Sequence, residues 1–419
     1  MVCLVGDFRR MIKKVKVHLL RPGVYITDFN CSWLAHPFLT SKKRIKSYQD
    51  IEKIKQAGIS EVFIDTTKGI DIFESLTREQ FLEEFKTNLE GVVPAEELDY
   101  QVQVSLEKEL KQAREIQYKA HDLLKRAYED IRYGNVLKIK EFADSVNEII
   151  DSVTRNRDAL LLLSNIKAKD EYTYEHSVNV SILAAGITKA LKMDKDEMFE
   201  YTLGAILHDI GKSKIPDEIL KKQSPLTRSE YEVLKKHVEL GVEILSSHKE
   251  ATAQTLSVIA EHHERLNGTG YPQKLSGTQI SLGGKLGGIL DVYDALTSHR
   301  IYHEPVHPVQ ALKEIYAQRG ILFEEELIQQ FIKFLGIYPP GSLVKLASGF
   351  LAIVIEAGRE NVLKPVVRII YDLNKNMAIL PRNMDLSKGV GDLHRIEGMV
   401  NPQFYNINLN QYLINMLND

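Results

Sequence analysis

Cysteine is nearly missing from this chain, with two in 419 residues, Cys3 and Cys31. Two thiols cannot build a disulfide framework or a metal site of three or four thiolates, and the pattern fits a reducing compartment. Long uncharged apolar runs are missing as well: none reaches the roughly 18 residues that a membrane-spanning helix needs. The opening segment spreads Asp7, Arg9, Arg10, Lys13 and Lys14 among its apolar residues, so it lacks the continuous apolar region of a secretion signal. A soluble, cytoplasmic protein with no membrane partner is the expectation. There is no excess of either charge: 54 Lys and Arg stand against 57 Asp and Glu, a net charge of −3. That balance excludes a bulk electrostatic grip on a polynucleotide, so any phosphate binding must be local. Internal repeats and low-complexity tracts are lacking too. What remains, 44% hydrophobic and 26% charged residues, is the composition of a folded globular chain, long enough for two to four structural units at roughly 100–200 residues each.

Periodicity divides the chain into a predicted series of units. Residues 1–104 read as a small α+β domain, regulatory in role, with short apolar runs at 15–20, 24–26 and 61–65 and a helix over about 47–57 that Gly58 closes. From Leu106 the apolar residues recur at steps of three and four (Leu106, Leu110, Ala113, Ile116, Ala120, Leu123, Ala127, Ile131), the stripe of one long amphipathic helix ending near Gly134. Such a stripe serves equally as a homodimer seam or as one face of an intramolecular bundle. Connecting helices are expected over 105–164 and a helical body over 165–336. A small β-rich segment follows over 337–388, bracketed by Pro339, Pro340 and Pro365. The Asn-rich remainder, 389–419, has too little patterning for assignment. The fold class is mainly α with small β-containing appendages at both ends.

Histidine is distributed unevenly: nine of the 13 lie between His176 and His307. His208 and Asp209 interrupt the apolar helix that begins near Leu203, and a neutral imidazole beside a carboxylate on an apolar face is costly unless coordinated or paired. His237 follows a helix start marked by Thr227 and Glu230 in capping-box spacing and falls in step with Leu234 and Gly241. His262 and His263 end another apolar helix, and Asp291 sits inside a further apolar run. Taken singly, each reads as a hydrogen-bonded core residue as readily as a ligand. Together, His176, His208, His237, His262, His263, Asp209 and Asp291, spread over four or five helices, supply the mixed nitrogen and oxygen donors of a dinuclear site in a bundle core.

These residues also stand in a recognisable order. Through His208-Asp209-Ile210-Gly211-Lys212, His262-His263-Glu264-Arg265, Gly268-x-Gly270-Tyr271-Pro272 and Asp291-x-x-Asp294-Ala295-Leu296-Thr297-Ser298, the chain resembles the HD-GYP family of the HD phosphohydrolase superfamily over about 165–336. The opening segment is similar to a domain of unknown function commonly fused ahead of it, through Leu20-x-Pro22-Gly23-Val24-Tyr25, Trp33-x-x-His36-Pro37-Phe38 and Ile64-Asp65-Thr66-x-Lys68-Gly69. The resemblance implies an all-helical catalytic domain that hydrolyses a cyclic dinucleotide, cyclic di-GMP or 3′,3′-cyclic GMP-AMP, to the linear dinucleotide and onward to mononucleotides. It implies the seven residues above as ligands of two divalent cations, Asp209 bridging them, with iron or manganese favoured because the donors include no thiolate. Lys212 is then suited to stabilise charge on the phosphoryl group. Arg265, Tyr271, Asp294, Arg300 and Tyr302 are the further substrate contacts it implies. A cyclic dinucleotide receptor with little turnover and a general HD nucleotidase are the rival readings.

Three features depart from the family pattern. Tyr172 stands where some members place a glutamate for a third metal, although Glu171 and Glu175 are near, so two metals are expected. His303 stands where many members have Lys or Arg. Gly283, Gly284, Gly287 and Gly288 precede Asp291, each costing about 1 kcal/mol relative to alanine if helical. Either that helix starts late or something packs very close to it.

Overall fold

The computed structural model describes residues 12–17, 20, 23–29, 43–46, 48–57, 59, 61–65, 68 and 69 near the start of the chain. From 102 to 418 it describes all except 166–171, 223, 225, 299–305, 307, 360, 390, 392, 393, 401 and 406. The chain divides into two compact units, Met1–Val92 and Val93–Asp419. The first boundary therefore falls before the expected 104/105.

In the first unit, strand β4 (Glu61–Asp65) alternates so that Val62 and Ile64 point inward, as one buried sheet face requires. It lies between β1 (Ile12–Lys16) and β2 (Tyr25–Asp28), both antiparallel to it, and β3 (Lys43–Arg44) extends the sheet in the order β1-β4-β2-β3. Helix α1 (Tyr48–Gln56) closes one core with Val24, Ile26, Ile45, Ile51 and Ile54. Asp50 anchors its start by accepting from Lys43 Nζ at 2.8 Å and Lys46 N at 2.9 Å. Residues 33–38 of the resemblance lie outside the described residues.

The second unit begins with the expected long helix, α2 (Leu106–Arg132), followed by α3 (Ile139–Leu163). Its apolar stripe is buried within the chain against α3, so it is a bundle face and not a free seam. Glu109 lies in that face, and its buried carboxylate accepts from Arg155 Nε and Nη2, both at 2.8 Å, and Ser152 Oγ at 2.7 Å. The body continues through α4 (Tyr172–Ala190), α5 (Lys195–Leu207), a 3₁₀ turn (Ile210–Lys214), α6 (Asp217–Leu220), α7 (Arg228–Lys235), α8 (His237–Leu245) and α9 (Ala253–Glu261). It ends with α10 (Leu282–Thr297), α11 (Pro308–Ala317) and α12 (Glu325–Leu335). The Thr227 and Glu230 capping box forms as expected, and His237 follows the capped helix across the single residue Lys236, which keeps a helical conformation.

The glycine-rich helix does not start late. It is helical from Leu282, and its glycines exist for contact: a Cβ on Gly283 would meet Ser257 and Val258, one on Gly287 would lie 3.1 Å from both His262 Cβ and Val258 Cγ1, and one on Gly288 would lie 3.2 Å from the His262 carbonyl. Bare backbone lets α10 lie directly on α9.

The β-rich segment is larger than its expected limits. Strands β5 (Leu343–Leu346), β6 (Phe350–Glu356), β7 (Val366–Asp372), β8 (Met377–Asp385) and β9 (Ile396–Met399) form an antiparallel sheet in the order β8-β7-β6-β5-β9. β9 pairs with β5, so the boundary at 388 cuts a sheet and is corrected to lie beyond 399. Helix α13 (Leu409–Asn418) buries Leu413 and Met416 and packs on α2. The sheet is tied to the helices by Ala357 N donating to buried Asp158 Oδ1 at 3.1 Å and Asn165 Nδ2 donating to the Pro340 carbonyl at 2.8 Å. Among the described residues, no helix is long and apolar enough to cross a membrane.

Candidate metal centre

Helix α5 runs out just before His208 and Asp209, and the chain tightens into the 3₁₀ turn. Gly211 makes that turn compatible with its neighbour, because a Cβ there would overlap the His237 carbonyl. The turn can therefore sit against the start of α8, which brings Asp209 Oδ1 to 3.3 Å from His237 Nε2. The other carboxylate oxygen of Asp209 lies 3.4 Å from His208 Nε2 and 3.9 Å from His176 Nε2. From the far side α10 supplies Asp291, whose Oδ1 is 3.1 Å from His176 Nε2, and the end of α9 supplies His262 and His263. All seven residues are at most 3% exposed. They converge in overlapping groups: His176 with His208 and Asp291, His237 with His262 and His263, and His208 with Asp209 and His262.

Hydrogen bonds behind the imidazoles decide which nitrogen faces inward. His208 Nδ1 donates to the Ala205 carbonyl at 2.7 Å, His237 Nδ1 to the Leu234 carbonyl at 2.8 Å and His262 Nδ1 to the Ile259 carbonyl at 2.9 Å. Each carbonyl lies one helical turn back, so the helix itself fixes the tautomer and aims a bare Nε2 lone pair at the centre. His176 Nδ1 instead meets the carboxylate of Asp294 at 2.7 Å. Inside this cage His208 Nε2, Asp209 Oδ1, both His263 nitrogens and Asp291 Oδ2 have no described hydrogen-bond partner, while His176 Nε2 faces Asp291 Oδ1. His237 Nε2 and His262 Nε2 face each other at 3.4 Å. Lone pairs turned on lone pairs in a buried cage are unfavourable unless cations lie between them. The donor set fits two divalent cations, one toward His176, His208 and Asp291, one toward His237, His262 and His263, with the two oxygens of Asp209 facing both groups.

Charge supports the same arrangement. Burial holds His237 down at about 4, with Lys212 pushing the same way. Burial also holds His262 and His263 well below the usual imidazole range, so these rings are neutral and ligand-competent. Burial alone would raise the Asp209 carboxyl, but the neighbouring Lys212 cation and His208 hold it well below the usual range. Asp291 is likewise depressed, its burial outweighed by the His176 hydrogen bond and the adjacent imidazoles.

Residues 161–327 match the HD domain family and residues 12–142 match a domain of unknown function, DUF3391. A cyclic di-GMP phosphodiesterase of Pseudomonas aeruginosa is 34% identical over 400 residues, covering 94% of this chain and 94% of its own. The chain belongs to the HD-GYP family. Further relatives match part of the chain. A 3′3′-cGAMP-specific phosphodiesterase of Vibrio cholerae is 33% identical over 45% of this chain and 37% of its own, and a cyclic di-GMP phosphodiesterase of Thermotoga maritima is 36% identical over 39% and 45%. The upstream match reaches residue 142, so it takes in all of α2 instead of stopping at 104.

Around this HD-GYP centre the expected substrate contacts separate. Lys212 is buried in the 3₁₀ turn and pairs with Asp209 Oδ2. Tyr271 is half-buried, its ring stacked on His263 with centroids 4.5 Å apart. Arg265, expected against substrate, turns its Nη1 to the His262 and Glu264 carbonyls at 2.9 and 2.6 Å, and its guanidinium lies 5.3 Å from the Phe323 ring centre. It braces the loop. Asp294, also expected against substrate, is buried behind His176 and accepts from Asn179 Nδ2 and Ser298 Oγ, both at 3.0 Å, a position from which it can orient that imidazole. Arg300, Tyr302 and His303 lie outside the described residues.

Two roles escaped sequence reasoning. Glu264 accepts from Gln273 N at 2.7 Å and Leu275 N at 3.0 Å, closing the loop that carries Tyr271. Asn179 lies one turn after His176, a spacing that is a signal only once the helix is known.

Proposed function

We propose that this protein is a metal-dependent phosphodiesterase that opens a guanine-containing cyclic dinucleotide, cyclic di-GMP first and 3′,3′-cyclic GMP-AMP second, to the linear dinucleotide. The observation that carries this reading is the convergence of five buried imidazoles and two carboxylates, several of their inward atoms without a described hydrogen-bond partner; a relative named for cyclic di-GMP hydrolysis, 34% identical over 94% of both chains, supports the substrate class. Donors without thiolate favour iron or manganese. The cations, when bound, supply Lewis acidity toward a phosphoryl group and activate water.

The remaining chemistry belongs to the chain. His208, His237 and His262 are held in one tautomer by their carbonyls, so no reorganisation is needed when charge develops. Asp209 and Asp291 stay ionised and supply the negative charge that retains divalent ions. Lys212, fixed against Asp209, places its ammonium group beside the centre, suited to a non-bridging phosphoryl oxygen. Tyr271, stacked on His263, offers a flat wall at the edge of the centre for a base or a phosphate. Action on an intracellular messenger carries with it a cytoplasmic location.

The test is turnover of the Mn- or Fe(II)-loaded protein on cyclic di-GMP, 3′,3′-cyclic GMP-AMP and cyclic di-AMP, with linear and mononucleotide products resolved. Hydrolysis of a guanine-containing ring, abolished in Asp209→Asn, is the expected result. No turnover of any ring by a protein with both metals bound would replace the enzyme with a receptor.

A further inference from the structure

The centre is held from one side by a helix that carries none of its ligands. Tyr128 lies on α2, 4% exposed, and its hydroxyl donates to the backbone carbonyl of Asp209 at 2.7 Å, across 81 positions of sequence. That carbonyl stands where α5 has ended and the 3₁₀ turn begins, a place where helix carbonyls lose their usual partners. Lys212 N donates to it at 2.9 Å from within the turn. Tyr128 therefore supplies its second hydrogen bond and the only described one from outside that turn. The ring of Tyr128 also packs edge-on against Tyr174, 5.2 Å between centroids, two positions before His176. One turn further along α2, Arg132 Nη2 pairs with Asp217 Oδ1 at 2.5 Å, just after the 3₁₀ turn. One helix thus touches the chain beside His176, at Asp209 and beyond Lys212.

We infer that Tyr128 is a positioning residue for the metal centre: by fixing the peptide of Asp209 it sets the angle at which that carboxylate faces both groups of imidazoles. The inference rests on the dinuclear reading above and extends it to a residue outside the matched HD domain. Removing the hydroxyl leaves the Asp209 peptide free to rotate about its turn. The carboxylate then favours one cation over the other, and the weaker site loses affinity while the helices stay folded.

The test is Tyr128→Phe, which keeps the ring and deletes one oxygen. Metal-free wild type and variant are titrated with Mn(II), and stoichiometry, affinity and the spin-coupled signal of a manganese pair are recorded beside the melting temperature. Wild type is expected to take up two equivalents. Tyr128→Phe is expected to bind the second at least about 10-fold more weakly, the usual scale for losing an outer partner of a metal ligand. Isolated-ion signal should replace coupled signal, and kcat should fall with KM little changed. Tyr118→Ala, at a 73% exposed position on the same helix, should match wild type throughout. A Tyr128→Phe protein with two equivalents at wild-type affinity and a full coupled signal overturns the inference, as does equal weakening in Tyr118→Ala. A wild type that takes up no manganese overturns the dinuclear reading itself.

Discussion

At the scale of single residues, the ligands were legible because their chemistry restricts them to few residue types, and because imidazole next to carboxylate inside an apolar helix has few satisfied alternatives. Their partners were not legible in the same way. Asp294 follows Asp291 by three positions on one helix, so both face the same side, and spacing does not say which carboxylate reaches the cavity. The structure separates them: Asp291 faces the cage while Asp294 takes His176 Nδ1 at 2.7 Å. Asp294→Asn should therefore weaken metal binding by about 10- to 100-fold, as loss of a carboxylate behind a ligating imidazole does, with KM for substrate little affected once metal is saturating. Metal titration and kinetics at high Mn(II) check this, and a raised KM with unchanged metal affinity would restore Asp294 as a substrate contact. Tyr128 shows the opposite limit, since a hydrogen bond spanning 81 positions leaves no mark in local pattern.

At the scale of elements, helices announced themselves by period. The stripe of α2 matches its buried residues, and the Thr227–Glu230 box forms where the spacing placed it. Glu230 accepts from Thr227 N at 2.7 Å and pairs with Lys222, and these contacts, the Lys222 hydrogen bond foremost, hold it at about 2 against an ordinary 4.5. A depressed carboxylate contributes stability that is present above its unfolded pKa and lost as pH falls through its folded one. The melting-temperature difference between metal-free wild type and Glu230→Gln should accordingly be present at pH 7 and fade as pH drops from about 4.5 toward 2. A difference as large at pH 2 as at pH 7 would contradict the assignment. Strand β8 falls inside the expected β-rich segment, but as an edge strand it is largely exposed, Leu380 at 90%, and offers little apolar alternation by which to place its own limits. The glycines of α10 were visible but ambiguous, and only the distances to α9 show that they are contact points. Gly287→Leu should force α10 away from His262, costing about 1–3 kcal/mol through overpacking and lowering activity far more than stability, because Asp291 moves with the helix. Calorimetric melting and turnover on the same preparation separate the two effects.

At the scale of the whole molecule, the sequence suggested a helical body with small appendages at both ends, and only the first end is a separate unit. The C-terminal sheet and α13 belong to the unit that holds the metal cage: Ala357 N caps buried Asp158, Asn165 reaches the Pro340 carbonyl, and α13 covers part of α2. Periodicity could not reveal this, since such ties run between residues as far apart as 199 positions. Where the chain tolerates cutting follows from them. A chain starting at Val93 retains α2, Tyr128 and every ligand, so it should fold and bind two equivalents of Mn(II). A chain ending at Gly336 loses β5 to β9, leaving Phe334, Leu335 and Asp158 without the segments that follow them, and exposing apolar surface at roughly 25 cal/mol per Å². It should be poorly soluble or rapidly proteolysed, not a smaller working enzyme. Expression of both truncations, followed by limited proteolysis and metal titration, checks the pair. A stable, metal-binding chain ending at Gly336 would show that the sheet is an appendage after all.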